Sequence, residues 1–310
     1  LNDNSLVHED LRAFYQNFPR ASHPMGILSA MVNALRSFYP ELDSMEEEIN
    51  LTMTRLLAKI RTMAAMSYKI SRGHRVVYPR PDLTYCENFL NMMFDTPVRP
   101  YELNRAAVNA LRVFWILHAD HEQNCSTSAV RVVGSARVNL YAAISSGIAA
   151  LWGPLHGGAN QRAMEMLLEI EEHGDAEAWV DAALAEGKKI MGFGHRVYRT
   201  EDPRATHLRR MSEELSDDAG AARLHALART VESTMLDRKS IPCNVDFYCA
   251  TVYGSLGFPL DLYTPLFAIG RVGGWVGHVM EQHENNRLIR PRAEYVGELD
   301  RRFVRLEERR

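Results

Sequence analysis

The amino-acid sequence predicts an all-α fold, and three observations carry that prediction. Apolar residues recur three and four apart along almost the whole chain, alternating runs long enough to make strands are nearly absent, and glycines and prolines cluster where the helical pattern stops. With 310 residues, 46% of them hydrophobic, the chain has length for two domains and can bury a large core.

Residues 6–18 and 24–38 predict two short helices, parted by the break at 19–23. Residues 46–69 predict a long helix whose Ile49, Met53, Leu56, Leu57, Ile60, Met63 and Ala64 form one apolar stripe, with the methionines as core filling. A loop at 72–83 and a helix at 85–94 follow. Residues 102–121 predict a strongly amphipathic helix with Leu103, Ala107, Ala110, Leu111, Phe114 and Leu117 on one stripe, which His118 and His121 prolong, so both imidazoles should point inward. Small residues at 126–151 predict helix in part, broken at Gly134 and Gly147. Further helices are expected at 159–172, 176–186, 203–215 with Pro203 in the first turn, 221–236, 245–256 and 262–282. In the last of these, Gly270, Gly273, Gly274 and Gly277 bare one face for close helix approach, which could lie across a subunit boundary. The tail from Glu298 is highly charged and should be solvated.

Composition narrows the function classes. The net charge of -3 comes from 36 basic and 39 acidic side chains spread along the chain, so no global field favours nucleic acid or an anionic membrane. Residues 260–280 are interrupted by Asp261 and Arg271, which reads as a buried helix and not a spanning one. Cys86, Cys125, Cys243 and Cys249 make no C-x-x-C pair and no zinc-ribbon spacing, so a reducing cytoplasm is the expected home. The first residue is Leu1 and not Met, and the sequence contains no basic segment followed by an apolar run and a small-residue cleavage site.

Four polar clusters interrupt the apolar helices: His118 to Glu122, His156 to Asn160, the loop Gly192 to Arg204, and Asn244 to Phe247. The loop carries the most chemistry. Gly192 and Gly194 permit backbone angles closed to other residues, Phe193 offers an aromatic face, His195 titrates near neutrality, and Arg199 and Arg204 offer forks for phosphate or carboxylate. Alone, such a loop reads more readily as a charged surface turn, a single histidine as a core residue, and Asn244-Val245-Asp246 as a helix start. His156 precedes a helix N-terminus, whose positive dipole end favours a neutral imidazole, suited to hydrogen-bonding an enolate. Asp246 offers a carboxylate in apolar surroundings, which raise its pKa toward the range of a base that takes a proton from carbon.

Together these residues resemble a family. Leu155-His156-Gly157-Gly158-Ala159-Asn160-Gln161, Gly192-Phe193-Gly194-His195-Arg196-Val197-Tyr198 with Asp202-Pro203-Arg204, and Asn244-Val245-Asp246-Phe247-Tyr248 are similar to the signature regions of citrate synthases. His118 to Asn124 and Arg290-Pro291-Arg292 with Tyr295 look like two more, in the same order. The resemblance covers essentially the whole chain, although family members of this type usually carry a further N-terminal region. It implies condensation of acetyl-CoA with oxaloacetate followed by thioester hydrolysis, with Asp246 as base, His156 holding the thioester oxygen and His195 polarising the ketone. His121, Arg204, Arg271 and Arg290 would contact oxaloacetate, with Arg290 completing the site of a neighbouring subunit in a homodimer or higher homo-oligomer. Gly192, Phe193, Gly194 and Arg199 would hold CoA, a substrate, so no cofactor and no metal is expected. The implied architecture is a large domain of residues 1–157 and 258–310 and a small one of 158–257, with hinges near Gly157 and Gly257.

Three rival readings accompany this one. The first is 2-methylcitrate synthase, which uses propionyl-CoA: one methylene changes binding by only about 1–3 kcal/mol, so these motifs do not separate the two. The second is a metal-dependent hydrolase or lyase on His118, His121, His156 and Asp246, although His118-x-x-His121-Glu122 is not the H-E-x-x-H pattern. The third is a non-catalytic helical CoA-binding protein.

Overall fold

A computed structural model describes residues 1–39, 45–195, 197–198, 200–217 and 219–309. Among them are thirteen α-helices: α1 (Glu9–Tyr15), α2 (Pro24–Ala34), α3 (Met45–Ser71), α4 (Tyr85–Phe94), α5 (Arg105–His118), α6 (Cys125–Ser135), α7 (Leu140–Leu151), α8 (Ala159–His173), α9 (Ala176–Ala185), α10 (Pro203–Glu214), α11 (Ala219–Lys239), α12 (Val245–Ser255) and α13 (Tyr263–Glu284). Extended pairing among the described residues is limited to an isolated antiparallel bridge between Phe193 and Cys243. The all-α prediction is met.

Local chemistry sets the helix boundaries. Thr84 and Glu87 form a reciprocal capping box at the start of α4. Asn124 and Asn139 cap α6 and α7, and Asp202 caps α10 with Pro203 in its first turn. Two expectations need correction. α5 stops at His118, so His118 is buried in the core while His121 lies beyond the helix, in a turn where Glu122 takes a left-handed φ of 45°; Leu103 likewise precedes α5 and is exposed. Gly147 does not break a helix: it sits inside α7, where a Cβ would come within 2.5 Å of Val130 and 3.1 Å of Trp275, so it permits a close crossing of α6, α7 and α13.

α13 is the axis of one packing group. Trp275 and Arg271 on it are almost fully buried, and it packs against α3, α5, α6 and α7. Of its glycines, Gly270 and Gly274 face the end of α5, whereas a Cβ at Gly277 would meet nothing within 4 Å. α12 is the centre of a second group, buried almost all round from Phe247 to Tyr253 and packed on α8, α10 and α11. Each large apolar side chain buried there contributes roughly 1.5–3 kcal/mol. The groups meet where α10 touches α5 and α8 touches α13. The N-terminal ends of α6, α10 and α12 and the turn before α8 carry the polar residues of interest. No helix among the described residues is long and apolar enough to cross a membrane.

Candidate active site

His156 stands in the turn before α8, but its ring is read by the N-terminus of a different helix. Ser126, the second residue of α6, aims its backbone N–H at Nε2 over 3.2 Å, and its hydroxyl lies 2.8 Å from the same atom. An amide proton has one direction, so Nε2 is an acceptor and the imidazole proton belongs on Nδ1. Trp275 Nε1 donates to the Ser126 hydroxyl over 3.1 Å, and that hydroxyl donates to Asn124 Oδ1 over 2.8 Å, so the donor that fixes Nε2 as an acceptor is the Ser126 backbone N–H. Burial and the charge of Arg271 push the pKa of His156 down to about 4. The neutral histidine expected from sequence is therefore present, but its causes are burial, Arg271 and the amide of α6.

His195 is held the opposite way round. Its Nδ1 accepts the backbone N–H groups of Val197 (3.0 Å) and Tyr198 (3.2 Å), so its proton belongs on Nε2. Burial lowers its pKa, with Asp202 opposing. The ring packs edge-on against His121 at 5.3 Å and tilted against Tyr198 at 4.6 Å. His121 is half-buried, and burial with the charge of Arg204 lowers its pKa too.

Two arginines face this group. Arg204 grips Asp202 through Nε (3.0 Å) and Nη2 (2.8 Å), and Asp202 also accepts the Val245 N–H at 3.1 Å, so one carboxylate fixes Arg204 to the first residue of α12. Burial alone would raise Asp202, but the bonds and charge of Arg204 outweigh it and hold it below the ordinary carboxylate value. Arg271 is 1% exposed; its Nε donates to the His118 carbonyl at 2.7 Å, while its Nη1 has no hydrogen-bond partner among the described residues. Burial and Arg204 bring its pKa down to about 10. A buried guanidinium with an N–H left over offers a donor suited to a carboxylate.

Asp246 occupies the first turn of α12, where Asn244 accepts its backbone N–H at 3.0 Å. Burial raises its pKa to about 6 against the pull of Arg204 and Arg271. Arg271 acts electrostatically on His156, His121 and Asp246, and Arg204 on His195, His121 and Asp246, so the cationic pair and the four titratable groups share one neighbourhood.

The glycine loop is built into the same helix start. Asn244 donates its N–H to the Gly192 carbonyl and its Nδ2–H to the Gly194 carbonyl, each over 2.8 Å. Gly192 has φ 81°, and a Cβ there would fall 2.6 Å from that of Phe247, so only glycine fits. Phe193 packs on Phe247 at 4.7 Å. Beside them a cleft of about 260 Å³ is lined by Gly194, His195, Tyr198, Thr200, Ser240, Ile241, Pro242 and Cys243. Arg199, expected here, lies outside the described residues.

Other candidates fall elsewhere. Arg290 is exposed in the segment after α13 and is not brought to this group. His118 is spent in the core: Nδ1–H donates to the Phe114 carbonyl at 2.8 Å, and Nε2 faces the Cys249 thiol at 3.4 Å. It is no ligand for a metal. Glu201, Glu232 and Cys243 offer three ligand atoms within 4.8 Å, but Arg209 bonds both carboxylates and fills that position. Sequence reasoning misses Ser126, the grip of Asp202 on Arg204 and the bonds from Asn244 to the glycine loop; Asp202 and Asn244 are helix N-caps, a signal the sequence offers, whereas Ser126 lies inside α6 and offers none.

The family described as "Citrate synthase, C-terminal domain" matches residues 1–292. The chain is 45% identical over 320 residues to citrate synthase 1 of Mycobacterium tuberculosis, covering 99% of this chain and 74% of the relative. It is 42% identical over 323 residues to citrate synthase of Corynebacterium glutamicum, covering 100% and 74%. Among solved structures, citrate synthase from Pyrobaculum aerophilum superposes with a TM-score of 0.90 at 36% identity, covering 99% of this chain and 79% of that one. A ternary complex of carboxymethyl coenzyme A and oxaloacetate with citrate synthase from Thermoplasma acidophilum gives 0.90 at 32% identity, covering 99% and 82%. By sequence and by fold, the chain belongs to the citrate synthase family.

Proposed function

We propose that the enzyme condenses acetyl-CoA with oxaloacetate and hydrolyses the resulting thioester to citrate and CoA, with these roles for its residues. The observation that carries the roles is the pairing of two neutral imidazoles, His156 with its proton on Nδ1 and His195 with its proton on Nε2, beside a carboxylate whose pKa is raised to about 6. Asp246 removes a proton from the methyl group of acetyl-CoA. His156 donates its Nδ1–H to the thioester oxygen as the enolate develops, without giving up a full positive charge. His195 donates from Nε2 to the ketone oxygen of oxaloacetate as the carbon–carbon bond forms. Arg271, with its unmatched Nη1, and Arg204, together with His121, hold the substrate carboxylates.

CoA lies along Gly192 to Gly194 and the adjoining cleft, with Arg199 as a further contact. The enzyme acts as a homodimer or larger homo-oligomer in which the exposed Arg290 reaches a neighbouring site, works in the cytoplasm without a cofactor or metal, and binds neither nucleic acid nor membrane. Residues 158–257 close as a unit on residues 1–157 and 258–310, about hinges at Gly157 and Gly257. Two exposed apolar side chains support closure: Leu155, next to His156, and Val197, next to His195, are surfaces that closure would cover.

The paired acyl-CoA assay tests the substrate. Thiol release with oxaloacetate is expected to give a higher kcat/KM for acetyl-CoA than for propionyl-CoA. A higher value for propionyl-CoA would make the enzyme a 2-methylcitrate synthase, and none with either would leave a non-catalytic CoA-binding protein. The curated relatives, named citrate synthases, support the acetyl preference.

A further inference from the structure

Three successive residues leading to His121 are each held by a successive turn of α13. Arg271 Nε donates to the His118 carbonyl at 2.7 Å, the Gly274 N–H to the Ala119 carbonyl at 3.0 Å, and His278 Nε2 lies 3.0 Å from Asp120 Oδ1. Positions 271, 274 and 278 are three and four apart, hence on one helical face. The direction of the last bond is fixed by its surroundings. Arg131 Nη1 lies 3.1 Å from His278 Nδ1 and can only donate, so the ring proton is on Nε2 and goes to Asp120. Arg131 is itself anchored to Glu281 at 2.5 Å, one turn further along α13.

Gly274 belongs to the same clamp for a steric reason. A Cβ there would stand 2.2 Å from the Ala119 carbonyl oxygen and 3.1 Å from the Asp120 Cβ, and the backbone of the turn would have to retreat. On the other side of His121, Asn124 Nδ2 donates to the His121 carbonyl at 3.2 Å. His121 is thus suspended between a clamp on α13 and the cap of α6, after the helix that precedes it has ended.

We infer that Gly274 and His278 are positioning residues for oxaloacetate: through Ala119 and Asp120 they set where His121 stands relative to Arg271, which lies on the same helix. This rests on the reading of His121 and Arg271 as oxaloacetate ligands. Neither Gly274 nor His278 touches substrate in this scheme, and their effect passes through His121.

The test is a double-mutant cycle read by oxaloacetate binding isotherms, alongside steady-state KM values for both substrates. His278→Ala is expected to weaken oxaloacetate binding about threefold to tenfold, the part of one lost hydrogen bond that reaches His121, with the KM for acetyl-CoA changed less than about twofold. His278→Gln, which keeps a donor near Nε2, restores most of the loss, and Gly274→Ala weakens oxaloacetate binding at least as much as His278→Ala. The double variant His121→Ala/His278→Ala binds no worse than His121→Ala alone. If His278→Ala fails to fold, Asp120→Ala removes the same bond from its other end. Unchanged oxaloacetate binding in the His278 and Gly274 variants, equal losses for both substrates, or additive losses in the double variant would overturn the clamp. Unchanged binding in His121→Ala would instead overturn the reading of His121, and the clamp with it.

Discussion

His156 and His195 are two neutral imidazoles in one site with their protons on opposite nitrogens, and the contrast lies in what holds each ring. His156 is backed by Ser126 at the start of α6, an element thirty residues away in sequence, beneath which Trp275 is fully buried. His195 is backed by the amides of Val197 and Tyr198 within its own loop. The first is a rigid tertiary clamp and its pKa is depressed to about 4; the second is a local turn, and its ring is more open to solvent. In the proposed mechanism, the donor that must stay neutral while an enolate forms is the one built into the packed part of the molecule. The donor proposed to meet the incoming ketone is the one held by its own loop.

The largest expected effect comes from removing Asp246, the proposed base. Asp246→Asn should lower kcat by about 10²–10⁴-fold with oxaloacetate binding kept, measured by thiol release and a binding isotherm. The same change should raise Tm. Because burial lifts the Asp246 pKa from 3.8 to about 6, its favourable contribution to stability is present below pH 3.8 and is lost as pH rises through about 6. At neutral pH the uncharged amide therefore relieves a cost.

The pH profile of the unsubstituted enzyme follows from the same group. The kcat/KM for acetyl-CoA should fall about tenfold per pH unit below about pH 6, as Asp246 of the free enzyme takes up its proton, while His156 stays neutral down to about pH 4. A log kcat/KM that stays flat to about pH 4.5 would remove Asp246 as the base.

The tautomer contrast can be broken by substitution, since an Asn amide nitrogen stands near an imidazole Nδ1 and a Gln amide nitrogen near Nε2. At position 156 Asn should retain more kcat than Gln, and at 195 Gln should retain more than Asn, each by roughly tenfold, the worth of one oriented donor. The same preference at both sites would erase the distinction. The smallest effect is expected from Ser126→Ala, which keeps the amide donor to His156 but deletes the hydroxyl that Trp275 also uses. A loss of about 1 kcal/mol in stability, with kcat lowered by less than about tenfold, is the expected outcome of thermal unfolding and kinetic assays.

What the sequence made legible was local. Helical periodicity predicted the all-α fold, and residues adjacent in sequence, such as Gly192 to His195 and Asn244 to Asp246, stood out because glycine, histidine and carboxylate interrupt apolar helices. What stayed hidden depends on residues far apart in the chain. Nothing near His156 points to Ser126, and nothing near Arg271 points to the His118 carbonyl that holds it. The end of α5 was also misplaced, because the apolar stripe runs on through His121 although the backbone turns after His118, where Glu122 takes a left-handed conformation. Periodicity reports which faces are apolar; it does not report where tertiary bonds to α13 replace those of the helix. Gly147 was read as a breaker for the related reason that a close helix crossing and a bend ask for the same residue.

The opposed tautomers of His156 and His195 are most directly read by long-range ¹H–¹⁵N correlation spectra of imidazole-labelled protein near pH 7, with the two rings assigned through the His156→Asn and His195→Gln variants. The expected result is two neutral rings, His156 protonated on Nδ1 and His195 on Nε2. An imidazolium at either position, or the same tautomer at both, would contradict the proton placement on which the proposed mechanism stands.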